Sequence, residues 1–94
     1  MNRVTLLKEL QLSSYIALDL ETTGLDPRTC AITEVSAYRF VDGYPFEEYS
    51  TLIDPQMIIP KEISELTGIT DRMVSGKPKI NEILSELFKF IGND

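Results

Sequence analysis

The sequence contains no histidine and no tryptophan, and Cys30 is its single cysteine among 94 residues. Without histidine, the chain cannot use an imidazole as a general base or as a metal ligand. One cysteine cannot form a disulfide within the chain, which is typical of a reducing compartment, so we expect a cytoplasmic location. No apolar run is long enough to cross a bilayer and no signal-peptide pattern is present, so we expect no membrane contact.

Basic residues are also scarce. Nine lysines and arginines face fifteen aspartates and glutamates, which gives a net charge of −6. This balance argues against broad, non-specific binding of nucleic acid, which needs a basic surface. It does not exclude a nuclease that holds a strand end through a metal and a local groove. The length allows one small domain, and an apolar fraction of 43% is sufficient for a core.

Two acidic residues stand at the end of the apolar strand predicted over residues 15–20. Because residues two apart in a strand point to one face, Asp19 and Glu21 share a face, with Cβ atoms roughly 6.7 Å apart. Ile16, Leu18 and Leu20 take the other face. Paired carboxylates on a rigid strand suit a hard cation such as Mg²⁺ or Mn²⁺. An isolated Asp-x-Glu is more often a solvated turn, so the residues that follow decide between the two interpretations.

The string from Asp19 to Leu25, Asp-Leu-Glu-Thr-Thr-Gly-Leu, resembles the first motif of the DEDD superfamily of 3′–5′ exonucleases. The resemblance is to the branch containing the epsilon subunit of bacterial DNA polymerase III and the PolC exonuclease domain. It implies catalysis with two bound Mg²⁺ or Mn²⁺ ions, for which Asp19 and Glu21 would be catalytic metal ligands. It also implies that the terminal nucleotide is lined by Thr22, Thr23, Gly24 and Leu25.

The first half of the chain predicts mainly strands. Residues 2–12 predict a short helix or a frayed extension, and further strands are predicted over 31–41 and 46–53. Asp42-Gly43 between the last two is a strong hairpin signal, so residues 15–54 should form a three-stranded antiparallel meander. Glu34 could be a third acidic group near the site, although a hydrogen-bonded structural carboxylate is the favoured interpretation.

The second half predicts helices over residues 60–92. A short helix should cover 61–66 with Gly68 as its C-cap, a turn should begin at Thr70, and apolar residues at three- and four-residue spacing predict a helix over 80–91 that ends at Gly92. The resemblance continues through residues 31–35, 59–60, 66–70 and 80–91, and residues 59–60 with 66–70 resemble the family's segment that lies against the terminal nucleotide. It implies that Thr67 and Ile69 contact the sugar or base at a 3′ end. The alternative is that Thr67 punctuates a helix and Ile69 is a core side chain.

The expected fold class is therefore α/β, the N-terminal part of a ribonuclease H-like fold, and residues 1–94 would be one partial exonuclease domain with an extension over 1–14. The family's second and third motifs are not found in the 94 residues, so we expect the isolated chain to be nearly inactive, and whether it is an enzyme by itself stays open. The implied function is hydrolysis at the 3′ end of DNA, or of RNA, with a polymerase or helicase as possible context. The alternative is a non-catalytic half-domain that binds nucleic acid or oligomerises. Since the family's later strands would pair beside residues 15–20, we also expect this edge to be bare and to join two copies in a dimer or larger oligomer.

Overall fold

A computed structural model describes residues 3–10, 14–24, 26, 28 and 30–92. It contains one four-stranded antiparallel sheet in the order β1-β2-β3-β4, followed by helices. No helix of the described residues is long and apolar enough to cross a membrane. The elements are β1 (Arg3–Leu10), β2 (Ser14–Thr22), β3 (Ile32–Val41), β4 (Tyr44–Leu52), α1 (Lys61–Thr67), α2 (Asp71–Val74) and α3 (Ile80–Ile91).

The predicted meander is confirmed by strands β2, β3 and β4, which pair in sequence order. The β3–β4 hairpin closes through two residues, since Val41 pairs with Tyr44 across the turn. Asp42 has φ +51° and Gly43 has φ +84°. Positive φ at both positions is the requirement of a type I′ turn, whose twist matches that of the flanking strands, so the Asp-Gly signal has a direct structural cause.

The N-terminal segment differs from the sequence-based expectation. Where a helix or frayed extension was predicted, residues 3–10 form β1, which pairs antiparallel with β2 from Arg3 opposite Glu21 to Leu10 opposite Ser14. The remaining residues of that prediction lie outside the described ones. Val4, Leu6 and Leu10 recur with period two as well as near helical spacing, and pairing with the open edge of β2 satisfies a full ladder of backbone groups that a lone short helix would not gain.

This pairing also corrects the expectation about the edge of the sheet. Residues 15–20 of β2 are not a bare edge, because β1 covers them along their full length. The edge strands of the described sheet are β1 and β4. The predicted dimer contact through residues 15–20 therefore loses its structural basis.

The main core lies between one face of the sheet and α3. The helix turns Ile83 and Leu87 inward, where they meet Val35 and Ala37 of β3 and Ile53 just beyond β4. Burial of these apolar side chains between the sheet and the helix stabilises the fold. The predicted helix over 80–91 is confirmed, and Gly92 follows its last residue.

A second, smaller cluster joins α1 and α2. Its buried members are Ile59, Ile69 and Val74, and Leu52 and Ile63 pack against it. The C-cap predicted at Gly68 and the turn predicted to begin at Thr70 are both present. Gly68 ends α1 in the left-handed conformation with φ 78°, and the side chain of Thr70 accepts a hydrogen bond from the backbone N–H of Met73 at the start of α2.

Candidate active site

The two faces of β2 carry different chemistry. Leu18 and Leu20 contact the core beneath α3, so Asp19 and Glu21 lie on the opposite face, as their spacing predicts. The Asp19 side chain is half-buried, and Glu21 is only 4% exposed. Because both residues belong to a strand with neighbours on either side, their Cα positions are fixed by two ladders of hydrogen bonds.

Strand β3 brings a third carboxylate to the same face. Glu34 lies directly opposite Glu21 in the register, and Ser36 lies opposite Asp19. Directly opposed residues of an antiparallel pair share a face, with Cβ atoms typically about 4.5–5.5 Å apart. The structure thus places Glu34 on the same face as Asp19 and Glu21. A third acidic group of the site would need this location, which is the less favoured of the two sequence interpretations of Glu34. The spacing of residues along one strand could not predict this neighbour, because it depends on how β2 and β3 pair.

The Thr-Thr-Gly turn begins where the register between β2 and β3 shifts, between Glu21 and Thr22. The Thr23 backbone N–H donates to the Ala31 carbonyl at 2.9 Å, and the Ala31 N–H donates to the Thr23 hydroxyl oxygen at 2.9 Å. The Thr22 hydroxyl donates to the Gly24 carbonyl at 2.8 Å. The turn is therefore held both within itself and to the segment that leads into β3.

Sequence reasoning missed one residue of this arrangement. The Thr23 hydroxyl donates to the sulfur of Met57, 3.4 Å away, although 34 residues separate the two in the chain. Met57 belongs to the 53–60 loop, residues 53–60, which connects β4 to α1. The signal in the sequence is that Met57 and Ile58 are apolar residues in a loop segment bounded by Pro55 and Pro60.

The predicted nucleotide-binding residues of the turn are placed as follows. Thr23 is 2% exposed, and its hydroxyl is engaged by Ala31 and Met57, so that group serves the turn itself. Gly24 does not adopt a left-handed conformation, and a Cβ built on it would meet nothing within 4 Å. Folding therefore does not require glycine at this position, which is consistent with a role in close approach to a ligand. Leu25 lies outside the described residues.

The other two predicted contacts, Thr67 and Ile69, lie in the α1–α2 region. The Thr67 hydroxyl donates to the Ile63 carbonyl and accepts from the Ile69 N–H, at 2.9 and 3.1 Å. Ile69 is a buried member of the second cluster. Thr67 thus lies at the end of a helix and Ile69 lies in a core, as the alternative interpretation states. Their contact with a sugar or base stays a prediction.

A separate charged pair lies in the loop beyond the turn. Arg28 Nε is 3.3 Å from Asp26 Oδ1, and both side chains are exposed. The hydrogen bonds from the Arg28 side chain and backbone lower the pKa of Asp26 below its ordinary value. As an exposed pair, it contributes little to stability and is best regarded as local order in the loop.

The donor set fits part of a divalent-cation site. Carboxylate oxygens are the ligands that Mg²⁺ and Mn²⁺ prefer, and Asp19 and Glu21 supply them from one rigid strand. Within the described ranges, however, no three acidic or cysteine side chains converge closely enough to hold a metal ion. A hard cation that prefers six oxygens would thus take only some of its ligands from this pair.

Sequence comparison with known proteins identifies a family and several similar proteins. The family model RNase_T, described as Exonuclease, matches residues 16–94. A DNA polymerase III PolC-type protein of Clostridium perfringens is 42% identical over 79 residues, covering 84% of this chain and 6% of the relative. A DNA polymerase III subunit epsilon of Aquifex aeolicus is 38% identical over 81 residues, covering 86% and 40%, and that of Treponema pallidum is 38% identical over 78 residues, covering 83% and 36%. The chain thus spans well under half of these relatives, and over the matched residues it belongs to the RNase_T exonuclease family.

Proposed function

We propose that this chain is the part of a 3′–5′ exonuclease domain that holds a divalent cation against the 3′ end of a DNA strand. The observation that carries the proposal is the position of Asp19 and Glu21. They lie on one face of an interior strand, away from α3, and directly before a turn fixed by its own hydrogen bonds. Membership of an exonuclease family supports nucleic acid as the class of substrate.

Asp19 and Glu21 would hold Mg²⁺ or Mn²⁺, and in the complete domain two such ions would supply a nucleophile at neutral pH and stabilise the leaving oxygen. The strand keeps the two carboxylates in place before substrate arrives. Rigid placement of this kind lowers the cost of ordering groups at the moment of reaction. Thr22, Gly24 and Leu25 follow immediately, so the terminal nucleotide would lie over this turn, against backbone groups and the small Gly24.

The isolated 94 residues should have little or no activity. Two ligands from β2 leave most of a six-oxygen shell to other donors, and the chain contains no histidine to act as general base. The alternative function is a non-catalytic module that binds nucleic acid or other chains. The proposed location is the cytoplasm, and the proposed partner of the complete protein is a DNA polymerase or a helicase. DNA is the proposed substrate, and RNA is the second candidate.

The first test is binding of Mn²⁺, followed by NMR through paramagnetic broadening of backbone amides. We expect broadening around residues 19–22 in the wild type and its loss in Asp19→Asn. Asp26→Asn is the matched control, because Asp26 is an exposed aspartate whose partner is Arg28. Equal broadening in wild type and Asp19→Asn would remove the cation from our proposal.

The second test compares binding and cleavage of 5′-labelled single strands that end in a 3′-hydroxyl or a 3′-phosphate. We expect Mn²⁺-dependent binding that prefers the 3′-hydroxyl strand and is lost in Asp19→Asn, with no shortening of either strand. Binding that ignores both the metal and the 3′ end would support the non-catalytic module instead. Metal-dependent shortening that Asp19→Asn abolishes would support the exonuclease and contradict the expected inactivity.

A further inference from the structure

Three carboxylates on the sheet face away from α3, those of Asp19, Glu21 and Glu34, form an acidic cluster. We propose that Arg3 of β1 is a positioning residue whose positive charge offsets repulsion within this cluster until a divalent cation binds there. This inference rests on the proposed function, which supplies the cation. It gives a role to a strand that lies before the residues matched by the family model, 16–94.

The register of the sheet places Arg3 beside the acidic cluster. Glu21 has two cross-strand neighbours, Arg3 on β1 and Glu34 on β3. Because directly opposed residues have Cβ atoms typically about 4.5–5.5 Å apart, charges at these positions act on each other at short range. An opposite charge there stabilises an antiparallel pair, and a like charge destabilises it. Glu21 therefore has one repulsive neighbour and one attractive neighbour, and Arg3 is the attractive one.

The burial of Glu21 increases the effect of these neighbours. Its side chain is only 4% exposed, whereas those of Asp19 and Glu34 are half-buried. Removing a carboxylate from water costs free energy unless opposite charge or hydrogen bonds compensate. Coulomb interactions are also stronger at a buried position, because water and salt screen them less. Without a positive charge nearby, repulsion within the acidic cluster would therefore destabilise this end of β2 in the metal-free state.

The other basic residues of the described strands are placed on the opposite side of the sheet. The Arg39 guanidinium lies over the ring of Phe90 on α3, 5.5 Å from the ring centroid. Lys8 belongs to β1 but lies opposite Ile16, which shares a face with the core residues of β2. Among the basic residues of the described sheet, Arg3 is therefore the one that the register places with the acidic cluster.

A resident positive charge has two opposite consequences for the site. It keeps the carboxylates in position before a cation arrives, and it weakens binding of that cation through like-charge repulsion. Removing the charge of Arg3 should therefore destabilise the metal-free protein and also raise its affinity for Mn²⁺. A cross-strand contact that acts only on strand pairing predicts the first effect alone.

The experiment measures Mn²⁺ affinity from the paramagnetic broadening of backbone amides near residues 19–22. Arg3→Gln should bind Mn²⁺ about five-fold more tightly than the wild type, since it removes one positive charge within roughly 10 Å of the cation at a partly screened position. Arg3→Lys should keep the wild-type affinity. Lys8→Gln is the matched control, because it removes the same charge from the other side of the same strand, and it should change the affinity less than about two-fold.

Thermal unfolding in chelator gives a second readout that needs no bound metal. Arg3→Gln should have a lower midpoint than Lys8→Gln, and Mn²⁺ should raise the midpoint of Arg3→Gln more than that of the wild type. Equal midpoints in chelator, or equal Mn²⁺ affinities of Arg3→Gln and Lys8→Gln, would overturn the role of Arg3 and leave the proposed cation site standing. No broadening in the wild type would overturn the proposed cation site, and the midpoints in chelator would then decide the role of Arg3 by themselves.

Discussion

The two faces of the sheet differ in what their side chains do. The face beneath α3 carries Leu18, Leu20 and Val35, which pack with the helix into the main core. The opposite face carries Asp19, Glu21 and Glu34, side by side on β2 and β3. Since neighbours along one strand alternate between these faces, stability and proposed chemistry are assigned to adjacent residues of the same segment.

This alternation makes the two roles experimentally separable. Substitutions on the α3 face should change the free energy of unfolding, whereas those of the acidic pair should act mainly on cation binding. The separation is incomplete at the turn after β2, where the buried Thr23 hydroxyl joins Ala31 and Met57.

The largest effect is expected beneath α3. Leu87→Ala should lower the free energy of unfolding by about 2–5 kcal/mol, because it removes a side chain that is 6% exposed and leaves a cavity in the main core. Leu84→Ala is the matched control on the same helix, since Leu84 is 37% exposed, and it should cost less than about 1 kcal/mol. Urea unfolding measures both.

Equal destabilisation by the two leucine substitutions would contradict the assignment of the inward face of α3. Neither should alter Mn²⁺ broadening near Asp19 at a temperature where the variant is folded, because the acidic pair lies on the other face of β2. A loss of broadening in a folded Leu87→Ala variant would show that the two faces are coupled.

The next effect is expected at the turn. Thr23→Val preserves the shape of the side chain but removes the oxygen that accepts from the Ala31 N–H. A part-buried donor is then left unpaired, which should lower the free energy of unfolding by about 1–3 kcal/mol. Thr51→Val is the control, because the half-buried Thr51 hydroxyl donates to the carbonyl of its neighbour Leu52. Thermal unfolding of the two variants compares them, and a smaller loss for Thr23→Val than for Thr51→Val would contradict the structural role of the Thr23 hydroxyl.

The parts of the fold that sequence predicted well depend on local chemistry. Asp42-Gly43 specifies its turn through the φ values the two residues tolerate, and the apolar spacing of residues 80–91 specifies the buried side of α3. Strand β1 was missed because its short apolar pattern is compatible with a helix or a strand. Only the availability of a partner edge on β2 decides between them, and that is a tertiary property.

The candidate site shows the same division. The shared face of Asp19 and Glu21 follows from the two-residue period of a strand, so it was predictable from the spacing of these two residues. Glu34 and Met57 reach the site by cross-strand register and by a loop contact, and residue spacing along β2 specifies neither of these contacts. The internal use of the Thr23 hydroxyl was missed for the same reason, since its partner Ala31 becomes a neighbour only when β3 pairs with β2.

A smaller effect separates two glycines. Gly68→Ala should cost about 1 kcal/mol, because Gly68 caps α1 with φ 78° and alanine is strained there although space is available. Gly24→Ala should change the free energy of unfolding by less than about 0.5 kcal/mol, since neither conformation nor contact excludes a Cβ. It should nevertheless weaken Mn²⁺-dependent binding of a 3′-hydroxyl strand if the nucleotide lies against this backbone. A large loss of stability in Gly24→Ala would assign the glycine to folding instead.

The smallest effect appears only in alkali, on the face that α3 covers. Burial, followed by the nearby charge of Glu86, raises the pKa of Tyr49 above its ordinary value of 10.0. The folded state therefore retains the phenolic proton longer than the unfolded state, so this contribution to stability is complete below about pH 10 and is lost as pH rises through the folded pKa. Tyr49→Phe should flatten the decline of the unfolding free energy above pH 10, and Glu86→Gln should flatten it partly. An unchanged slope in Tyr49→Phe would mean that α3 does not shield this side of the sheet from solvent as the packing indicates.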